Sequence, residues 1–275
     1  MQNSNPLVSV LVATYNSENF IKDNLDSLIA QTYKNIEIVV CDDASSDKTV
    51  SIVKRYQEKD ERIKIIQNEK NLGITLNMNN GIRNCTGKYI AILDADDWSY
   101  PYRIEEQVKV MEENPEVALC SGYMDICDEE LNVKTVREYP LENEDIRKAI
   151  VRYNPISHPA SMWRTSELIK TSLYNNRFPI ARDYDLVVRI SEFGEYKNIP
   201  KSLIKYRVRK GSETGKRTRQ TQWYSFYVQM KAHFEYDFPL KFGDVLFLIL
   251  RLTTTIILPV SLQRYIANNF SKLSK

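Results

Sequence analysis

The stretch GKYIAILDADDW, residues 87–98, decides how this chain is read. Residues 89–93 form a short, unbroken apolar run, the pattern of a strand buried on both faces. That run leads straight into Asp94, Ala95, Asp96 and Asp97. Closely spaced carboxylates at a strand end are costly unless a cation or water satisfies them. For an isolated D-x-D the plainer explanation is a solvated loop or a helix cap, so the surroundings have to decide.

Working outward, strand-like and helix-like segments alternate. Residues 8–13 (VSVLVA), 36–40 and 63–67 read as three further strands. Helical spacing follows the first, with Phe20, Ile21, Leu25, Leu28 and Ile29 on one face and Asn16 or Ser17 as cap. Ser45, Ser46 or Asp47 caps a second helix carrying Val50, Val53 and Tyr56, and Gly73 opens a third. This alternation predicts an α/β fold, a mostly parallel central sheet flanked by helices. In such sheets ligands bind beyond the carboxyl ends of the strands. The polar clusters Thr14-Tyr15-Asn16, Asp42-Asp43 and Asp94–Asp97 each follow a strand there, so three segments converge on one crevice. Beyond Asp97, residues 103–113, 142–153 and 183–193 look helical. Residues 117–122 and 202–208 look like strands.

Bulk properties narrow the function. The 275 residues are 43% hydrophobic and 27% charged, with 38 Lys plus Arg against 36 Asp plus Glu. That near-neutral balance does not indicate nucleic acid as a partner. No G-x-G-x-x-G or P-loop pattern follows the first strand, which argues against a dinucleotide oxidoreductase or a nucleoside triphosphatase. The cysteines, Cys41, Cys85, Cys120 and Cys127, form no CxxC pair. A reduced, cytoplasmic setting is expected, and the N-terminal segment lacks the basic-then-apolar signal pattern. Residues 242–260 approach transmembrane length. However, Asp244 and Arg251 interrupt them, and an Arg at the bilayer centre costs about 2.5–3.5 kcal/mol. Peripheral contact with the inner face of the cytoplasmic membrane is expected, flanked by Lys241, Arg264, Lys272 and Lys275. A buried helix or a partner contact is the alternative.

Magnesium and manganese prefer oxygen ligands and are often shared between one or two carboxylates and a diphosphate. Asp94–Asp97 suits that role. Asp43 suits a hydrogen bond from a base or ribose, since a helix cap explains Ser46 or Asp47 but leaves Asp42 and Asp43 over.

Five segments in order, VSVLVATYN, VVCDDASSDKT, NLGITLNMNNG, GKYIAILDADDW and ARDYDLVVRI, resemble family 2 glycosyltransferases with the GT-A fold, of the bacterial surface-polysaccharide type. The resemblance covers roughly residues 7–210. It implies a GT-A catalytic domain over residues 1–215, with a nucleotide-binding half (1–120) and an acceptor half (121–215). Residues 216–275 form an aromatic and apolar helical extension. It implies that Ala13, Tyr15 and Asn16 pack on the base, with Tyr15 stacking, and that Asp43 binds the base. Asn71, Gly73 and Asn79 lie beside the nucleotide, with Leu76 where a basic residue is often found. Asp94 and Ala95 meet ribose or metal waters. Asp96 holds Mn2+ or Mg2+, with Asp97 as rival ligand. Asp183 is the general base, with Asp185 as fallback, and a cap for the following helix is the plain alternative for Asp183. Arg182 would lower its pKa only if the two charges approach. His158 touches donor or acceptor. Arg209 replaces a His of the family pattern and can pair with phosphate but cannot bind the cation. The basic run 210–219 closes over the diphosphate or meets anionic lipid.

The implied activity is inverting transfer of one hexosyl or N-acetylhexosaminyl unit from a nucleotide-diphosphate sugar, UDP-sugar favoured. The acceptor is a glycan or lipid-linked glycan hydroxyl. A non-catalytic, membrane-associated scaffold and a nucleotidyltransferase are the rivals. A processive synthase is disfavoured, because several transmembrane helices and a Gln-x-x-Arg-Trp motif are missing.

Overall fold

The computed structural model describes residues 5–209 and 219–257. The expected alternation is present: β1 (Val8–Thr14), α1 (Ile21–Ile29), β2 (Ile36–Asp42), α2 (Thr49–Gln57), β3 (Ile63–Gln67), α3 (Ile74–Arg83) and β4 (Tyr89–Ile92). These strands pair in parallel in the order β3-β2-β1-β4. Side chains alternate across them. Val8, Val10, Val12, Ile38 and Val40 meet α1, α2 and α4 (Arg103–Glu113) on one side. Leu11, Val39, Cys41, Ile90 and Ile92 meet α3 and later helices on the other. Both faces are covered, which is why the strands read as unbroken apolar runs. Gly81 is required where α3 crosses this sheet, because a Cβ there would collide with the Leu11 side chain.

The second half is more mixed than the first. β6 (Val117–Cys127) runs five residues past its expected end, and β9 (Glu195–Arg207) begins seven before the expected 202. The two pair in parallel. β8 (Met162–Arg164) lies antiparallel between β4 and β6, β5 (Trp98–Ser99) pairs antiparallel with β9, and β7 (Val133–Arg137) with β6. The helices here are α5 (Asn143–Ile150), α6 (Thr165–Lys170) and α7 (Arg182–Ile190). In the C-terminal part, α8 (Arg219–Tyr236) buries Val228 and Ala232 in the second core, and α9 (Phe242–Ile257) follows. Lys231 of α8 bonds Asp185 of α7 at 2.8 Å, so this segment is built onto the second half of the sheet domain. The residues expected to flank a membrane helix at 264, 272 and 275, and the basic run over 210–218, lie outside the described residues. Among the described residues no helix is long and apolar enough to cross a membrane. The four cysteines are free.

Two expected caps are corrected. Helix α1 starts at Ile21, because residues 17–20 make a turn in which the Ser17 carbonyl accepts the Phe20 and Ile21 N–H groups. Asp47 precedes α2 by two residues and binds both the Thr49 N–H and the Glu18 N–H.

A buried carboxylate pins the sheet. Glu37 accepts from Ser9 (2.5 Å), from the Thr86 N–H (2.7 Å) and hydroxyl (2.8 Å), and from Lys64 (2.7 Å). Burial raises its pKa, but Lys64, Ser9 and Thr86 outweigh that and bring it to about 2. A depressed folded-state pKa contributes stability that is complete above the unfolded value and lost as pH falls toward the folded one. Glu37→Gln should therefore destabilise the fold by about 2–3 kcal/mol at pH 7. The difference from wild type should shrink between pH 4.5 and 2, as read by urea unfolding across pH.

Candidate nucleotide-sugar site

The loops after β1 and β2 lock together. Asn16 and Ala44 both have left-handed backbones, φ 49° and 60°. The Asn16 N–H donates to Ser45 Oγ (2.9 Å), and its side-chain oxygen accepts the Ser46 N–H (2.9 Å). Asp42 accepts the Ser45 N–H and hydroxyl, so it is spent inside its own turn. These bonds fix the turn that carries Tyr15, a residue 50% exposed and free to stack. Ala13, one residue from the end of β1, packs against the second core.

Asp43 is buried at the base of the same loops. It accepts the Leu72 N–H (2.8 Å), the Gly73 N–H (2.9 Å) and the Asn68 amide (2.9 Å). A carboxylate offers about four acceptor positions, so one remains for an incoming N–H. Asn71 accepts a longer bond from the same Gly73 N–H (3.1 Å). Gly73 has φ 82°, a conformation glycine takes without strain. Leu76, at the position often basic in the family, is exposed. Asn79 does not line this crevice. Its buried amide clamps both backbone groups of Tyr174, donating to the carbonyl (2.8 Å) and accepting the N–H (3.0 Å). The expected nucleotide contact becomes a structural one.

The acidic turn is held by residues that pattern reading missed. The Asn24 amide donates to the carbonyls of Asp94 (2.9 Å) and Asp97 (3.0 Å). Arg207 donates its N–H to Asp97 Oδ1 (2.9 Å), its Nε to the Asp96 carbonyl (2.9 Å) and its Nη2 to Asp23 (2.9 Å). Arg103 is fully buried and donates to the carbonyls of Ile92 (2.7 Å) and Ser161 (3.2 Å). Burial lowers its pKa to about 9, against the pull of Asp97 and Asp94. A polar Asn24 among Ile21, Leu25 and Leu28 was the available signal for the first of these. Arg207 lies two residues before Arg209, at the end of the expected 202–208 strand, and nothing in that pattern singles it out.

The three acidic side chains differ. Asp97 is 1% exposed, and its second oxygen is buried without a protein partner among the described residues. Burial, then Asp94 and Asp96, push its pKa well up. Its first oxygen is taken by the Arg207 N–H, so Asp97 supports the turn through one oxygen and keeps the other for the rival ligand role. The Ala95 side chain also joins the core, leaving only its backbone near a ligand. Asp96 is half-buried and pairs with Arg209 at 2.7 Å. The Asp94 pKa is pushed up by burial and by Asp96 and Asp183, and held down by His158 and Arg182. Those five groups therefore share one field.

Asp183 lies inside the first turn of α7, not at its cap. Ala181 holds the cap position with a left-handed backbone (φ 62°), and no side-chain cap bond forms. The plain cap explanation fails. The Asp183 carboxylate accepts from the Asn154 amide (3.1 Å) and lines a cavity of about 540 Å3 with Tyr153, Arg182, Gln229 and Arg251. Arg182 donates to the Pro179 carbonyl (3.0 Å). Asp185 is excluded as fallback base: it is 0% exposed and its two oxygens hold Arg189 and Lys231. His158 is half-buried and pairs through Nε2 with the Tyr174 hydroxyl (2.7 Å).

Oxygen-only donors at Asp94 and Asp96 fit a hard divalent cation. Among the described residues no three His, Cys, Asp or Glu side chains gather to hold an ion alone. One or two carboxylates completed by substrate phosphates is the arrangement that fits.

A doubly covered sheet with polar loops at its carboxyl edge, and a carboxylate-bearing cavity beside α7, has the architecture of a nucleotide-sugar transferase of the GT-A type. The family model Glycosyl transferase family 2 matches residues 9–172, and the chain belongs to that family. It is 36% identical over 218 residues to an uncharacterized glycosyltransferase of Haemophilus influenzae, covering 76% of this chain and 67% of the relative. It is 32% identical over 227 residues to the amylovoran biosynthesis glycosyltransferase AmsE of Erwinia amylovora, covering 82% and 84%. Among solved structures, S. aureus TarS in complex with UDP-GlcNAc superposes with TM-score 0.67 at 20% identity over 90% of this chain and 80% of that one. The mannosyltransferase PcManGT from Pyrobaculum calidifontis, in complex with GDP-Man and Mn2+, gives 0.65 at 17%, over 99% and 82%. The chain is thus a glycosyltransferase using a nucleotide-sugar donor.

Proposed function

We propose that this enzyme moves one sugar from a nucleotide-diphosphate sugar, a UDP-sugar by preference, to a hydroxyl of a glycan or lipid-linked glycan during surface-polysaccharide assembly, with inversion. The observation that carries this reading is the carboxyl edge of the parallel sheet, where the turns bearing Tyr15, Asp43 and Asp94–Asp97 follow the paired strands β1, β2 and β4. AmsE, a relative named for amylovoran biosynthesis, supports the polysaccharide setting.

In this account Tyr15 stacks on the base and the fourth acceptor position of Asp43 takes a base N–H. Asp94 and the 95 backbone face the ribose. Asp96 would hold Mn2+ or Mg2+, and the cation would supply Lewis-acid stabilisation of charge on the diphosphate. Arg209 turns from Asp96 to a phosphate oxygen. The acceptor enters the cavity lined by Asn154, Asp183 and Arg251. Asp183 takes the proton from the acceptor hydroxyl, and that oxygen bonds to the anomeric carbon from the face opposite the diphosphate. The bond to the diphosphate breaks and the nucleoside diphosphate leaves with the electron pair. Asn154 holds the Asp183 carboxylate in orientation. His158, oriented by Tyr174, lines the sugar side.

The exposed stripe of α9, Phe242, Leu246, Ile249 and Leu250, supports peripheral contact with a membrane surface where a lipid-linked acceptor would sit. A thermal-shift screen of nucleotide sugars with and without Mn2+ tests donor binding. Stabilisation by one nucleotide series, enhanced by Mn2+, is expected, and no shift with any donor would favour the non-catalytic scaffold.

A further inference from the structure

We infer that a groove on α8 is a saccharide-binding subsite for the acceptor glycan, separate from the cavity that holds the reacting hydroxyl; this rests on the transferase reading above. The groove has a volume of about 580 Å3, within the roughly 300–1,000 Å3 of small-ligand sites. Its floor and walls are aromatic. Phe178 is buried and lies 6.2 Å from the Tyr224 ring and 5.7 Å from the Tyr227 ring. Trp223 and Tyr227 complete it and are 49% and 56% exposed.

Hydrogen-bonding groups ring these faces: Asn175, Arg177 and Glu235 share the lining. A pyranose presents an apolar C–H face and a rim of hydroxyls, which is the complement of aromatic walls edged by an amide, a guanidinium and a carboxylate. A bilayer is a poorer occupant. The groove is concave and edged by Glu235 as well as by Arg177 and Lys231, whereas exposed aliphatic side chains, Leu246, Ile249 and Leu250, line α9.

The groove is also rigidly tied to the transfer centre. Lys231, in its lining, bonds Asp185 at 2.8 Å, two residues from Asp183. Phe178 and Asp183 are five residues apart, so their backbones are separated by at most about 18 Å. That span suits a short oligosaccharide with its end at Asp183 and its inner sugars on Trp223 and Tyr227. The cavity beside Asp183 would then choose the reacting sugar, and the groove the chain behind it.

The test uses the full chain with a printed array of bacterial glycans. UDP calorimetry and sedimentation with phosphatidylglycerol–phosphatidylcholine vesicles run alongside. Wild type should bind a restricted set of glycans, and the double variant Trp223→Ala with Tyr227→Ala should lose that binding at least tenfold while keeping its UDP affinity. Undiminished glycan binding by the variant, or none by wild type, overturns the subsite. Loss of vesicle binding in place of glycan binding would make the aromatic face a membrane contact instead. Absence of UDP binding by wild type would count against the transferase reading itself.

Discussion

Asp183→Asn should lower sugar transfer by about 10²–10⁴-fold, the range for removing a positioned general base, while donor affinity stays within twofold of wild type. The substitution keeps the shape that meets Asn154 and removes only the ability to accept a proton. Asp183 sits in the first turn of α7 without a capping bond, so its loss does not unpin the helix. Asp185→Asn is the informative control. It would leave Arg189 and Lys231 without their shared buried partner, a loss of about 3–5 kcal/mol in stability. A catalytic defect with normal melting at 183, beside a folding defect at 185, separates base from scaffold. Near-normal turnover in Asp183→Asn would refute the base assignment.

Asp96 and Arg209 should respond in opposite directions to metal alone. Arg209 Nε pairs with Asp96 Oδ2 at 2.7 Å, on the carboxylate that suits the cation. Asp96→Ala should abolish the Mn2+ enhancement of UDP binding. Arg209→Ala should tighten Mn2+ binding measured by calorimetry without nucleotide, because it removes an internal competitor. The same variant should bind UDP about 10–100-fold more weakly, since a charge-assisted hydrogen bond to phosphate is worth about 1.5–3 kcal/mol. Weaker Mn2+ binding in Arg209→Ala would mean the guanidinium organises Asp96 rather than competing for it. Unchanged Mn2+ dependence in Asp96→Ala would move the ligand to Asp97 or Asp94.

The nucleotide half was legible because its signals are local. β3 and α4 fall on the residues that the periodicity marks, and β1, β2 and β4 differ only at their carboxyl ends. The polar turns follow strands whose parallel pairing brings them to one edge. The second half was less legible because β5, β7 and β8 are short antiparallel additions, and β6 and β9 outrun their apolar stretches with shifts of register between them. β8 has three residues, and its place between β4 and β6 is set by pairing, not by pattern.

At the site, an aspartate reads alike whether it faces a ligand or supports one. Asp97 and Asp185 have the same local signature as Asp96 and Asp183. Only burial and the partners Arg207, Arg189 and Lys231 distinguish them. Asn79 misled for the same reason, since its partner Tyr174 lies 95 residues away in the chain. Arg103 was invisible because a charged residue at a helix start is expected in solvent, and here it is buried under the acidic turn.

The central claim is that the acidic turn and Asp183 act on opposite sides of one anomeric carbon. The measurement that tests it most directly is proton NMR of the sugar released from the donor by slow hydrolysis with Mn2+, read before mutarotation. The account predicts the inverted anomer from wild type and no release above background from Asp183→Asn. Release of the retained anomer, or equal hydrolysis by the two proteins, would contradict it.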